Sequence, residues 1–271
     1  MSDRTVSYED YGSGPIALLI HGSPANGKAW QRVGERLAAR HRVIAPDLPG
    51  HGPTTEPPAE SAPDPAYAAE LIEALVRAAG RPAVVAGHSY GGVVALTLAL
   101  RARVPVDALV LFEPVAVPML LTAGDIETYR ASNAFFEGYV ASVEGGDAQA
   151  VRGMVDYWFG PGAFARLPDP LRDFMVKGAI ANIRDIRATL AQRYAPEALR
   201  GLAAPVTTVF GGRSPDVTRR IAEAITAYVQ RGSVVRLDTA NHALITTHVA
   251  EVAELIEAAA GPPPGGPSRT P

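Results

Sequence analysis

The sequence predicts an α/β protein with a mostly parallel central sheet, helices on both of its faces and one long helical insertion. Three observations lead there. Short apolar runs, each closed by Gly, Pro or His clusters, alternate with helix-length amphipathic segments over residues 16 to 112. Residues 115 to about 200 carry helical patterns but no comparable strand, and the strand pattern resumes at Val206.

The run Ile16-Ala17-Leu18-Leu19-Ile20 lies between Gly14-Pro15 and His21-Gly22-Ser23-Pro24, and reads as a buried strand entering a tight loop. A polar helix is expected from about 28 to 40, then a strand at 42 to 45. That strand ends in Pro46-Asp47-Leu48-Pro49-Gly50-His51-Gly52-Pro53, where repeated Gly and Pro stop both strand and helix. The Pro-rich stretch 53 to 65 is a loop. Leu71, Leu75 and Val76 sit at helical spacing within 67 to 79, which ends at Gly80 beside Pro82. A strand at 83 to 86, the turn Gly87-His88-Ser89-Tyr90-Gly91-Gly92 and an apolar helix at 93 to 100 come next, followed by a strand at 107 to 112 that delivers Glu113-Pro114. Helical candidates in the insertion lie around 125 to 143, 147 to 157, 170 to 181 and 184 to 194. Beyond a strand at 206 to 210, a helix is expected at 216 to 229 and a strand at 233 to 237. The loop Asp238-Thr239-Ala240-Asn241 then leads to His242, before a last helix at 249 to 260. The expected organisation is one catalytic core in two parts, residues 1–114 and 201–260, a helical lid at 115–200, and a disordered tail at 261–271, whose Gly and Pro leave no apolar face to bury.

Composition narrows the chemistry. The 271 residues are 47% hydrophobic, ample for a large core. Lys and Arg number 25 against 28 Asp and Glu, a formal charge of −3 with no long basic run, so no nucleic acid is expected as a partner. Zero Cys removes disulfides, thiolate nucleophiles and thiolate metal sites. His41 and His51 are too scattered for a zinc pattern, and no cofactor is expected. No apolar run has the length of a membrane span, and Met1-Ser2-Asp3-Arg4 passes to the polar Tyr8-Glu9-Asp10 without an apolar segment. No membrane partner, no secretory leader and a cytoplasmic location are the expectations.

Gly87-His88-Ser89-Tyr90-Gly91 matches G-x-S-x-G, in which glycines let a strained strand-to-helix turn pass close to its neighbours and push the serine hydroxyl outward. The preceding strand and the following helix make Ser89 the candidate nucleophile. A serine hydroxyl needs a base at neutral pH, and His242, in the loop after the last strand, is the candidate. His248, at the start of the last helix, is its competitor and reads more readily as a cap or surface contact. His21 and His88 read as neutral rings that fix loops. The backbone N–H groups of Tyr90 and Ser23 are the expected oxyanion-hole donors, and Trp30 reads as a helix-to-core anchor.

Two carboxylates compete to orient His242. Asp216 lies beyond the strand at 206 to 210, but Gly211-Gly212-Arg213-Ser214 puts Ser214 where a G-x-x-D pattern carries its acid, with Asp216 displaced by two residues. Glu113 leaves a buried strand directly, where an unpaired carboxylate is costly to desolvate. Glu113 is the favoured acid and Asp216 the alternative.

These residues resemble the alpha/beta-hydrolase superfamily, in its serine-nucleophile branch, over about 16 to 260. His21-Gly22-Ser23-Pro24 resembles its oxyanion loop, Asp47-Leu48-Pro49-Gly50-His51-Gly52 its D-x-x-G-x-G turn, and Gly87-His88-Ser89-Tyr90-Gly91-Gly92 its nucleophile elbow. A looser similarity, from Glu113-Pro114 and Ser214-Pro215, is to the group that includes fungal zearalenone lactonase, with the acid after the strand following the elbow. The resemblance implies cofactor-independent Ser–acid–His hydrolysis of an ester or lactone through an acyl-enzyme, with water as second substrate. Acyltransferase, haloperoxidase-like and lyase activities use the same triad on this fold and stay open, as does a ligand-binding protein with slow turnover.

The insertion is rich in aromatic residues and Met, and Trp158, Phe136, Tyr157 and Met154 are the candidate substrate-binding residues. They suit a medium-sized apolar ester or lactone. The same apolar surface offers a homodimer interface as an alternative use.

Overall fold

The computed structural model describes residues 5–58 and 60–261. Seven strands form one sheet: β1 (Tyr8–Gly12), β2 (Ile16–Ile20), β3 (Arg42–Pro46), β4 (Pro82–His88), β5 (Leu109–Phe112), β6 (Val206–Gly211) and β7 (Gly232–Leu237). Their spatial order is β1-β3-β2-β4-β5-β6-β7. β1 runs antiparallel to β3, and every other pairing is parallel. An α/β fold with a mostly parallel sheet is therefore what the residues form.

Strand alternation sends side chains to two separate cores. Leu18, Ile20, Ile44 and Val85 face one layer, packed against the helices Pro65–Ala79, Tyr90–Arg101 and Asp216–Tyr228. Ala17, Leu19, Val43 and Ala86 face the other, with the helices Gln31–Leu37 and Val249–Ala260. Trp30 is fully buried there against Phe112, so its anchoring role is as expected. Each fully buried Leu, Ile or Val contributes on the order of 2 kcal/mol, and both faces of the central strands are filled this way.

Several elements depart from the sequence pattern. β1 was not among the expected strands, because Tyr8, Glu9 and Asp10 are exposed at the sheet edge and show no apolar alternation. The helix expected at 28 to 40 is a 3₁₀ turn, Gly27–Trp30, followed by Gln31–Leu37. In the insertion, the boundary between the third and fourth expected helices falls at Gly178, between Asp169–Lys177 and Ala179–Ala191. The reason is tertiary: a Cβ on Gly178 would stand 2.7 Å from the Pro24 Cβ, so only glycine lets the chain turn that closely on the loop after β2. The short helices Met119–Thr122, Ala163–Arg166, Pro196–Arg200 and Leu244–Thr247 are too brief to show a period in the sequence. All regular elements between β5 and β6 are helical. Apart from Gly261, the expected tail lies outside the described residues. Among the described residues, no helix is long and apolar enough to cross a membrane.

Candidate active site

The carboxyl ends of the parallel strands bring the candidate residues together. Ser89 follows β4 and starts the helix Tyr90–Arg101 with φ 54 and ψ −122, in the positive-φ region that L-residues rarely adopt. The turn is held by close backbone packing: a Cβ on Gly91 would lie 2.3 Å from the Ile20 carbonyl oxygen and 2.4 Å from that of His21. Glu113 follows β5 and also has positive φ, 46. Both residues continue the sheet ladder at its end, Ser89 N–H donating to Phe112 O at 3.0 Å and Glu113 N–H to Val209 O at 2.8 Å. Their conformations are thus fixed by the sheet.

His242 joins them. Its Nδ1–H donates to Glu113 Oε2 at 2.7 Å, which leaves the Nε2 lone pair facing the Ser89 hydroxyl at 3.1 Å. Glu113 has no exposed surface, yet its other oxygen, Oε1, accepts from Gly211 N–H at 2.6 Å and from the Ser214 hydroxyl at 2.5 Å. The desolvated carboxylate is therefore met by three donors. Ser214, at the position where a G-x-x-D acid would stand, supplies one of them. Asp216 does not reach His242. It is the first residue of its helix, 58% exposed, and pairs with Arg219 and Arg220, whose side-chain bonds hold its carboxyl below the usual range.

His21 and His88 hold loops. His21 Nδ1–H donates to Gly22 O at 2.7 Å, and its Nε2 accepts from Leu48 N–H at 2.8 Å. Both ring nitrogens are used in the neutral form, and burial pushes the imidazole pKa down to about 3. Gly27 N–H donating to Asp47 Oδ1 makes a second link between the loops after β2 and β3. His88 Nε2–H donates to the carbonyl of His242 at 2.9 Å, and burial holds its pKa well below the ordinary value. The His248 ring bonds to the Thr239 and Thr247 hydroxyls.

Above Ser89 lies a predominantly apolar cavity of about 620 Å³, with Ser23, Tyr90 and His242 also on its lining. The Tyr90 N–H is the first of its helix, where no intrahelical acceptor exists, and it sits at the positive end of the helix dipole. The helix Val151–Phe159 offers Met154, Trp158 and three neighbours at helical spacing to the cavity. Phe136 lines it too. Tyr157 does not: it falls on the flank of that helix, stacked on Phe135 at 4.3 Å and edge-on to Trp158. Three contacts had no warning in the sequence, because their partners are far apart in the chain. Asn182 Nδ2 donates to Ser23 Oγ at 3.0 Å, buried His51 pairs with Asp185 at 2.8 Å, and Trp158 stacks on His242. Among the described residues, no group of three or more His, Asp and Glu is placed to hold a metal ion.

An imidazole hydrogen-bonded to a hydroxyl, oriented by a buried carboxylate and set at a helix N-terminus, has the parts that acyl transfer needs. Comparison with known proteins gives the family and the fold. The model of the alpha/beta hydrolase family matches residues 17–255. The magnesium-chelatase 30 kDa subunit of Rhodobacter capsulatus is 41% identical over 92 residues, 34% of this chain and 32% of that protein. The pimeloyl-(acyl-carrier protein) methyl ester esterase of Vibrio campbellii is 36% identical over 103 residues, 38% of each chain. The chain thus matches about a third of the length of these curated relatives. Among solved structures, an esterase from Exiguobacterium antarcticum superposes with a TM-score of 0.74 over 94% of this chain and 95% of its own, at 18% identity, a likeness of fold.

Proposed function

The chain belongs to the alpha/beta hydrolase family, and on that premise we propose that it is a cofactor-independent serine esterase acting on a medium-sized apolar ester or lactone. The observation that carries the reading is the hydrogen-bonded chain from Ser89 through His242 to Glu113, opening into a cavity of about 620 Å³. That volume is within the range that encloses a drug-sized ligand. The name of the Vibrio campbellii relative, a methyl ester esterase, supports ester chemistry. The branch that places the acid after the strand following the elbow, to which the lactonase similarity belongs, extends the reading to lactones.

In this mechanism the Ser89 hydroxyl passes its proton to His242 Nε2 as Oγ bonds to the carbonyl carbon. The carbonyl electron pair moves to the oxygen, which the Tyr90 and Ser23 backbone N–H groups receive. The pair returns, the carbon–oxygen bond to the leaving group breaks, and the leaving alkoxide takes the proton from His242 Nε2. Water then gives a proton to His242 as its oxygen attacks the acyl-enzyme. Collapse of the second tetrahedral species frees the acid, and Ser89 Oγ recovers the proton. Glu113 keeps the imidazole in the Nδ1–H tautomer throughout and offsets the positive charge that forms on it. Phe136, Met154 and Trp158 form apolar walls for the substrate.

The test is a panel of aryl and alkyl esters and lactones of graded size, assayed with Ser89→Ala beside the unsubstituted protein. Turnover should fall by about 10⁴-fold or more, and the pre-steady-state burst should vanish. Undiminished burst and steady-state rates in Ser89→Ala would contradict the mechanism.

A further inference from the structure

His242 is held by more than its hydrogen bonds. The indole of Trp158 lies 4.4 Å from the imidazole, centroid to centroid, with the planes within 19° of parallel. Trp158 is itself fixed from two sides, stacked on Phe136 at 5.9 Å and met edge-on by Tyr157 at 4.8 Å. It is 8% exposed.

An indole face carries the negative lobe of its quadrupole. A neutral imidazole lying parallel to it gains ordinary offset stacking, whereas an imidazolium gains cation–π attraction in addition. The contact is therefore stronger for the protonated ring, the species that catalysis forms when the base takes a proton. We infer that Trp158 is a positioning residue of the reaction, fixing the plane of the His242 ring and stabilising its imidazolium from the face. The consequence for catalysis rests on the proposed role of His242 as base.

The other groups that face this ring leave the assignment distinct. Glu113, at the end of β5, meets the Nδ1 edge. Ser89 meets the Nε2 edge. His88, at the end of β4, has its ring 4.8 Å away at 43°, and burial keeps it neutral, so it adds no cation. Phe159, beside Trp158 on the same helix, is tilted at 5.8 Å and does not titrate. Glu113 supports the imidazolium through the ring edge and Trp158 supports it through the ring face.

The test is an NMR titration of the His242 ring in the substrate-free protein, followed by the pH profile of kcat/KM. Three variants are compared: Trp158→Leu and Trp158→Met, which keep apolar bulk without a π face, and Trp158→Phe, which keeps a weaker one. Two variants without a π face keep the comparison intact if one fails to fold. The His242 pKa should drop by about 0.5–1 unit in the Leu and Met variants, with at least half of the drop restored by Phe. The acidic limb of kcat/KM should move down by the same amount. An unchanged or raised pKa in the Leu and Met variants overturns the inference. So does a rise in KM alone with the acidic limb unmoved, which is the signature of a wall residue. Because the titration contains no substrate, its failure is distinguishable from a failure of the serine mechanism, which Ser89→Ala reports separately.

Discussion

The floor and the wall of the cavity are built by different means. The floor is backbone: Ser89 and Glu113 sit at positive φ on the ends of adjacent parallel strands, each tied to the next strand by its own N–H, and Gly91 allows two carbonyls within 2.4 Å of where a Cβ would be. The wall is side chains. Met154 and Trp158 on one helix, and Asn182, Asp185 and Thr189 on another, reach the cavity because they share a helical face. Reacting groups must be held to within a fraction of an ångström, and a sheet edge does that. A wall of helix faces can change its residues without moving the floor.

Breaking the floor should therefore cost the most. Glu113→Gln removes the charge that meets His242 and can present its amide to the Nδ1 edge, favouring the wrong tautomer. Turnover of a good ester should fall by about 10²–10⁴-fold with the fold intact by circular dichroism. Asp216→Asn, on the surface with Arg219 and Arg220, should stay within about twofold in the same assay. A large loss confined to Asp216→Asn would reject Glu113 as the acid.

Gly91→Ala attacks the backbone that carries the floor. The new Cβ would press on the carbonyl oxygens of Ile20 and His21, and main chain cannot rotate away. A loss of about 3 kcal/mol or more in unfolding free energy is expected from chemical denaturation. A change below about 1 kcal/mol would show that the turn is slack.

The loops under the floor carry a pH signature. The folded His21 imidazole has its pKa lowered from 6.5 to about 3, so between these values the unfolded chain binds a proton that the folded one does not. Its stabilising contribution is complete above about pH 6.5 and is lost as pH falls, at up to about 1.4 kcal/mol per pH unit; neutral, buried His88 acts in the same direction. Urea midpoints at pH 7, 6 and 5 should decline, and His21→Asn should flatten the slope by up to one proton. Equal slopes would mean that His21 is not held neutral.

The smallest effect should come from the wall. Met154→Ala enlarges the cavity and removes apolar contact, raising KM for bulky esters about three- to tenfold while kcat for a small ester stays within about twofold. Equal losses for small and bulky esters would place Met154 in the floor.

The same division explains what could be read in advance. Apolar runs closed by Gly and Pro marked β2 to β6, and G-x-S-x-G between a strand and a helix marked the turn at Ser89, because local packing demands leave local sequence traces. Glu113 was legible as a carboxylate at the end of a buried strand. Its partner Ser214 was visible only as a departure from G-x-x-D, and 101 residues separate the two. β1 was silent, since an exposed edge strand needs no apolar alternation. In the wall, aromatic richness was evident but its direction was not. Trp158 and Tyr157 are neighbours in sequence, yet helical geometry turns the first to the cavity and His242 and the second to Phe135. Asn182 on Ser23 and Asp185 on His51 join residues 159 and 134 positions apart, and no periodicity reports such pairs.

The proposed nucleophile is Ser89, activated by His242 and Glu113. Covalent labelling with a fluorophosphonate, followed by intact-mass and peptide mapping, tests it most directly. One phosphonyl group should be gained on the peptide containing Ser89, more slowly in Glu113→Gln and not at all in Ser89→Ala. An adduct on another residue, or undiminished labelling of Ser89→Ala, would contradict it.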